Sequence, residues 1–320
     1  MESLDNQIVV SIQCLVYNHA PYIRQCLDGF VMQKTNFRFE AIVHDDASTD
    51  GTQDIIKEYE KKYPDIIKPI YQKENQYSKG IPGYITNLVS SKCKGKYIAM
   101  CEGDDYWTDP YKLQKQVDYL DEHPECGLVY TNYKKYIQEN QSFIEGQSKQ
   151  SDFDSLLFSN NICTLTTLYR KGIAEEYRSK YQKISISHSW KMGDYPLWLY
   201  IAAHSEIKYL EDVTGVYRVL SNSASHSQDY KKSLSFLLSS YDIRFHFAKE
   251  YQKDYLIKNI AGNEVKAIIN ISNKFNKNAK INVTKFFLRH QLWHPRFYLL
   301  CLLSKYKKSR KFAKMLNPFF

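Results

Sequence analysis

From Ile8 to Tyr133 the chain alternates short apolar, β-branched runs with segments whose apolar residues recur at helical spacing, and few folds accept that alternation. Ile8 to Val16 reads as a buried strand ending at Tyr17-Asn18-His19-Ala20-Pro21, where proline suits the first position of a helix carrying Ile23, Leu27, Phe30 and Val31. Phe37 to Val43 reads as a second strand, ending at His44-Asp45-Asp46. Ser48, Thr49 and Asp50 are capping types for a helix with Ile55, Ile56 and Tyr59. A third strand at Ile66 to Tyr71, a helix at Tyr84 to Ser91 and a fourth strand at Lys96 to Cys101 follow. Asp109-Pro110 then opens a helix with Leu113, Val117 and Leu120 on one face, before a strand at Gly127 to Tyr133. The pattern predicts an α/β fold with a mostly parallel central sheet and helices on both faces. Lys134 to Asp152 is polar and reads as a dividing loop, Phe153 to Val219 mixes short strands and helices, and the chain is helical after about Lys231. The expected division is an α/β domain over residues 1–225 and a basic helical C-terminal region over 226–320.

In a sheet of this kind, ligands bind beyond the carboxyl ends of the strands. Three polar groups fall there: Tyr17-Asn18, Asp45-Asp46 and Glu102-Gly103-Asp104-Asp105. Carboxylates at i and i+2 in a tight turn suit a hard cation, Mn²⁺ or Mg²⁺, and the glycine lets the backbone come close. Such a cation offsets the charge of a nucleoside diphosphate and acts as a Lewis acid on it. Taken alone, an acidic turn is as well explained by solvated loop and cap residues. Its place behind Tyr97-Ile98-Ala99-Met100 and ahead of Asp109-Pro110 favours the ligand reading.

Charge separates the two ends of the chain. From Tyr241 onward there are 17 Lys/Arg against four Asp/Glu, whereas the preceding 240 residues hold 27 against 31. Phe286, Phe287, Leu292, Trp293, Phe297, Tyr298, Leu299 and Leu300 stand among these basic residues, a composition suited to an anionic membrane interface or to a packed helix pair with a solvated basic face. The seven cysteines are odd in number, scattered and without a C-x-x-C pair, which argues against a disulfide framework or zinc site. No opening signal segment and no run of about 18 apolar residues is expected.

The three motifs resemble family 2 glycosyltransferases of the GT-A fold, over about Val9 to Val219. Val9-Val10-Ser11-Ile12 to Tyr17-Asn18 is similar to that family's opening strand. Ile42-Val43-His44-Asp45-Asp46-Ala47-Ser48-Thr49-Asp50-Gly51-Thr52 is similar to its V-D-D-G-S-T-D-G-T motif, with Ala47 in place of glycine. Gly95 to Trp107, with the Lys112-Leu113 to Gln116 helix, resembles its D-x-D segment, and Met192-Gly193-Asp194-Tyr195-Pro196-Leu197-Trp198-Leu199 its E-D-W-x-L-W-L segment. The resemblance implies a donor half (about 1–133) and an acceptor half (about 150–225) of one GT-A domain.

It also implies an inverting transfer of a hexose or N-acetylhexosamine from a nucleotide-sugar, typically a UDP-sugar, to a glycan or lipid-linked glycan. Tyr17, Asn18 and Asp45 or Asp46 then meet the donor, one aspartate taking the base. Asp104 is the metal ligand, Glu102 an indirect one, and Asp105 a sugar contact or structural. Asp194 is the general base, at the cap of a helix beginning near Pro196. His188 is a candidate second acid–base group or acceptor contact. Arg218 and His226, in the stretch resembling Y-R-x-x-x-x-S-x-S, are diphosphate contacts, His226 also a candidate metal ligand. Asn160 to Thr167 resembles the acceptor-side segment without single roles. The implied setting is cytoplasmic, peripheral on the inner face of the cell membrane through the basic region, with no nucleic acid partner. Two rivals stay open. A sugar nucleotidyltransferase usually opens with a glycine-rich phosphate loop, and Ser11 to Pro21 has no glycine. A non-enzymatic module would bind membrane or nucleic acid through the basic region.

Overall fold

The computed structural model of the 320-residue chain describes residues 7–80, 84–188, 190–220 and 227–277. It divides into two compact units, one of Met1–Leu156, Asn160–His188 and Gly193–Leu220, the other of Leu157–Ser159, Ser189–Met192 and Ser221–Phe320.

The first unit is built on one sheet. In chain order its elements are β1 (Ile8–Val16), α1 (Ile23–Val31), β2 (Arg38–Asp45), α2 (Thr52–Lys62), β3 (Ile67–Tyr71), α3 (Tyr84–Lys92), β4 (Tyr97–Met100), β5 (Tyr106–Trp107), α4 (Lys112–Glu122), β6 (Cys126–Ile137), β7 (Ser142–Glu145), α5 (Phe153–Phe158), β8 (Leu168–Arg170), α6 (Lys171–His188), α7 (Tyr195–His204) and β9 (Glu206–Val219). The strand order is β3-β2-β1-β4-β8-β6-β9-β5, with β7 paired to β6. The β3-β2-β1-β4 block is parallel throughout, and β6 and β9 are parallel to each other. The reversed β8 joins the two blocks antiparallel to both β4 and β6. Six strands therefore point one way, as the mostly parallel α/β expectation requires, while β5, β7 and β8 run against them.

Burial explains why β1 and β2 carry continuous apolar runs. Val10, Ile12, Cys14 and Val16 enter one core with Ile23, Leu27 and Phe30 of α1 and Leu113, Val117 and Leu120 of α4. The opposite parity of β1 meets α3, where Gln13 Nε2 donates to Ser90 Oγ at 3.2 Å and to Cys93 Sγ at 3.4 Å. Helices thus cover both faces, the arrangement that parallel strands need.

Three local expectations are corrected. Residues 134–152 are no plain loop: β6 runs on to Ile137 beside β9 and turns back into β7, with Tyr136 and Phe143 rings 4.8 Å apart. Lys134 and Lys135 hide the strand in the sequence; Lys134 is exposed and Lys135 half-buried, so both charges stay near water. Pro21 does not open α1; His19 O accepts from Tyr22 N and Ile23 N, and the helix begins at Ile23. Nor do Ser48 and Thr49 cap α2, which starts after Gly51 at φ 94°. In the second unit the described elements are α8 (Tyr230–Glu250) and α9 (Asp254–Lys274). Asp229 caps α8 by accepting from Lys232 N at 2.8 Å.

A buried lysine underlies the centre of the first unit. Lys112 is fully buried, its Nζ donating to Gln116 Oε1 at 2.7 Å and lying 4.3 Å from the Trp107 ring centroid. Burial pulls its ammonium down from 10.5 to about 7. Between those two values the unfolded chain holds a proton that the folded chain has released, so stability rises with pH across that window; below about 7 the burial penalty is felt in full. Denaturant melts at pH 6, 7, 8 and 9 should show Lys112→Met gaining most over the wild type at low pH, the gap closing as pH rises.

Candidate active site

The site grows from the ends of three neighbouring parallel strands. Val16 pairs with Asp45 and Gln13 with Met100. The pairing continues past β4: Cys101 N donates to Gln13 O at 3.1 Å and Gly103 N to Leu15 O at 3.0 Å. The acidic run is therefore hydrogen-bonded to β1 and not a free loop. Asp105 N closes it by donating to Glu102 O at 3.0 Å, and the Cys26 and Cys101 thiols approach that same carbonyl from beneath at 3.5 and 3.7 Å. Gly103 is required here. A Cβ would stand 2.9 Å from both His19 Nδ1 and Val16 Cγ2.

The carboxylates of the run divide by role. Glu102 is exposed, Asp104 is half-buried and Asp105 is 4 % exposed. Although water reaches Glu102, protein crowds it. That desolvation, then the charges of Asp104 and Asp194, push its carboxyl up to about 7. Asp105 lies inside, with Oδ1 accepting from Arg218 N at 2.7 Å; burial and then Asp104 raise its carboxyl well above the ordinary range. It ties the run to β9, the structural half of its two expected roles. Arg218, expected at the diphosphate, is engaged elsewhere. Its Nε donates to Asp104 O at 2.9 Å, its terminal nitrogens to Gln138 and Gln25 at 2.9 and 2.7 Å, and its guanidinium lies 4.8–5.4 Å from the ring centroids of Tyr22, Tyr106 and Tyr136. It holds the acidic run from behind, and its 7 % exposure leaves little surface for a ligand.

At the β2 end both aspartates are buried. Asp46 accepts from Gln76 N at 2.8 Å and Tyr77 N at 2.9 Å, ordering that loop. Asp45 Oδ2 accepts from Ser48 N at 3.0 Å and Gln53 Nε2 at 2.6 Å, whereas its Oδ1 is buried without a hydrogen-bond partner. Asn18, at φ 54°, knits β1 to the next loop by donating from its N–H to Ser48 Oγ and accepting from Thr49 N at Oδ1. The Tyr17 ring is 46 % exposed and free to stack.

Asp194 arrives from α7. It caps that helix, with Oδ1 accepting from Tyr195 N at 2.7 Å, and its charge bears on Glu102. Its Oδ2 accepts from Thr164 Oγ1 at 2.6 Å. The fold thus brings together Glu102, Asp104 and Asp194, which lie up to 92 positions apart in sequence. His188 ends α6 on an exposed surface. His226 lies outside the described residues. Two residues at the site carry no single role in the sequence: His19, lodged against Gly103 with Nδ1 buried and unpartnered, and Thr164, within the acceptor-side segment Asn160 to Thr167. Burial lowers the His19 imidazole despite the opposing charges of Asp104, Asp50 and Asp45. His19 adjoins Tyr17-Asn18 and was legible by position; Thr164 lies 30 residues from its partner, and no spacing announces it.

Comparison with known proteins shows the family and the fold. The family model for glycosyl transferase family 2 matches residues 11–189, and the chain belongs to that family. It is 36% identical over 221 residues to an uncharacterised protein of Mycobacterium tuberculosis, a match covering 68% of this chain and 61% of that protein. The chain thus spans about three fifths of the length of its mycobacterial relatives. It is 29% identical over 245 residues, 74% of this chain and 88% of the other, to the Escherichia coli UDP-Glc:alpha-D-GlcNAc-diphosphoundecaprenol beta-1,3-glucosyltransferase WfaP. Among solved structures, the mannosyltransferase PcManGT from Pyrobaculum calidifontis, in complex with GDP-Man and Mn²⁺, superposes with a TM-score of 0.56 at 16% identity, covering 97% of this chain and 84% of that one. The fold is GT-A, as the motifs implied.

The turn after β2 carries a measurable strain. Ala47, where the family motif has glycine, adopts φ 62°. A left-handed conformation costs an alanine about 1 kcal/mol, part of which glycine's greater unfolded-state freedom cancels. Ala47→Gly should raise stability by roughly 0.5 kcal/mol, read as a small increase in Tm.

Proposed function

We propose that the protein is an inverting glycosyltransferase that moves a sugar from a nucleoside-diphosphate donor, a UDP-sugar, to a hydroxyl of a glycan or lipid-linked glycan. The carrying observation is the convergence of Glu102 and Asp104, at the end of β4, with Asp194, at the cap of α7. Transfer needs negative charge placed for a cation on the donor side and a base on the acceptor side, and these residues supply both.

On the donor side, Tyr17 offers a ring face to the base, and Asp45 or Asp46 a carboxylate oxygen to its ring N–H. The unpartnered Asp45 Oδ1 supports this assignment. The residues fit Mn²⁺ or Mg²⁺. Among the described residues no three His, Cys, Asp or Glu side chains form a closed cage. Accessible carboxylates on Asp104 and Glu102 suit a hard cation that shares its remaining positions between diphosphate oxygens and water. Asp104 is the direct ligand in this reading and Glu102 the outer one. When bound, the ion stabilises charge on the leaving diphosphate.

On the acceptor side, Asp194 takes the proton of the attacking hydroxyl. The oxygen's electron pair forms the new bond to the anomeric carbon from the face opposite the diphosphate. The old carbon–oxygen bond breaks, and its pair leaves with the nucleoside diphosphate. Attack from the opposite face inverts the anomeric centre. WfaP's uridine-diphosphate donor and lipid-linked acceptor support the substrate classes, and the Mn²⁺ in PcManGT supports the metal. Sugar-nucleotide turnover with Mn²⁺ checks the assignment: Asp104→Asn and Asp194→Asn should each fall by at least about 100-fold, and a near wild-type rate in either removes that residue from the mechanism.

The basic C-terminal region completes the reading as a contact for an anionic membrane surface carrying the acceptor. Its support is the charge pattern after Tyr241; no described helix is long and apolar enough to cross a membrane. The protein should sediment with anionic but not neutral liposomes, less so as salt is raised; equal recovery in the supernatant in both cases ends this part of the proposal.

A further inference from the structure

We infer that Thr164 is the positioning residue for the acceptor-activating carboxylate, an inference that rests on reading Asp194 as that carboxylate. An ionised carboxylate only accepts hydrogen bonds, so the 2.6 Å contact has Thr164 Oγ1 donating to Asp194 Oδ2. The other oxygen, Oδ1, accepts from Tyr195 N at 2.7 Å. Two donors on two oxygens, one from the helix that carries Asp194 and one from a separate segment, fix the plane of the carboxylate. Bonds of this charge-assisted kind are short and strong.

The mount of Thr164 is rigid. It opens a 3-10 turn, Thr164–Thr166, that Trp107 of β5 and Gln116 of α4 clamp. Trp107 Nε1 donates to Leu165 O and Gln116 Nε2 to Thr166 O, each at 2.8 Å. Within the segment, Thr166 Oγ1 donates to Cys163 O at 2.7 Å and Thr167 Oγ1 to Thr164 O at 2.8 Å. Threonine is also restricted at χ1, so its hydroxyl keeps its direction at small entropic cost. In transfer, the acceptor's proton goes to a lone pair of Asp194 that neither donor occupies. Asp194 returns that proton to water after the product leaves.

Three variants test the assignment: Thr164→Val, which removes the hydroxyl at near-constant volume, Thr164→Ser, which keeps it, and Asp194→Asn. Thr164→Val should lower kcat about 10- to 100-fold with little change in KM for the sugar nucleotide. Thr164→Ser should restore kcat. A Thr164→Val enzyme with wild-type kcat overturns the positioning role while Asp194→Asn still reads out the base. A Thr164→Ser enzyme that melts like the wild type yet stays as slow as Thr164→Val overturns it as well. Full activity in Asp194→Asn is a different failure, that of the underlying reading.

Discussion

Like charge held in one place is the constraint on which the site depends. Glu102, Asp104, Asp105 and Asp194 bear on one another, and in isolation their repulsion would open the turn that carries three of them. The fold resists in two ways. The peptide groups of the run continue the pairing with β1 through Cys101 N and Gly103 N. The Arg218 side chain bonds the Asp104 carbonyl, and its backbone amide bonds the Asp105 carboxylate. Neither device neutralises the two outward carboxylates, so the concentration of charge stays available to a ligand.

The sheet order makes this arrangement economical. β1 is central, flanked by β2 and β4, so three adjacent strand ends deliver Tyr17, Asp45 and the acidic run to one edge. The reversed β8 and the antiparallel β5 bring the second half of the unit back against that edge. β9 then supplies Arg218 behind the acidic run. Pre-ordered carboxylates of this kind need little reorganisation when a charged substrate binds.

Much of this was legible in the residue pattern, for identifiable reasons. β1, β2 and β4 are buried on both faces, so their apolar runs are unbroken, and the motifs at their ends sit where parallel strands must stop. β5 escaped because two residues carry no period. The β6–β7 extension escaped because Lys134 and Lys135 tolerate solvent there. Arg218 is a diphosphate contact only by resemblance to the Y-R-x-x-x-x-S-x-S stretch. Only the three-dimensional packing shows its guanidinium spent on Asp104, Gln25, Gln138 and three tyrosine rings. Thr164 is alike in one respect: its hydrogen-bond partner, Asp194, lies 30 residues away in sequence. Asp45 and Asp46, adjacent and alike in sequence, separate only through what each carboxylate already accepts.

The bond from Trp107 to the Leu165 carbonyl has a consequence for how such chains can be recombined. One partner lies two residues past the acidic run and the other follows Thr164, so a single indole hydrogen joins positions 58 residues apart. A chimera that crosses over between them takes the tryptophan from one relative and the turn from another. Unless the two still match, the turn that carries Thr164 loses its anchor. Splice sites that keep the pair together lie before Trp107 or beyond Thr167, with the span between them carried over as one cassette.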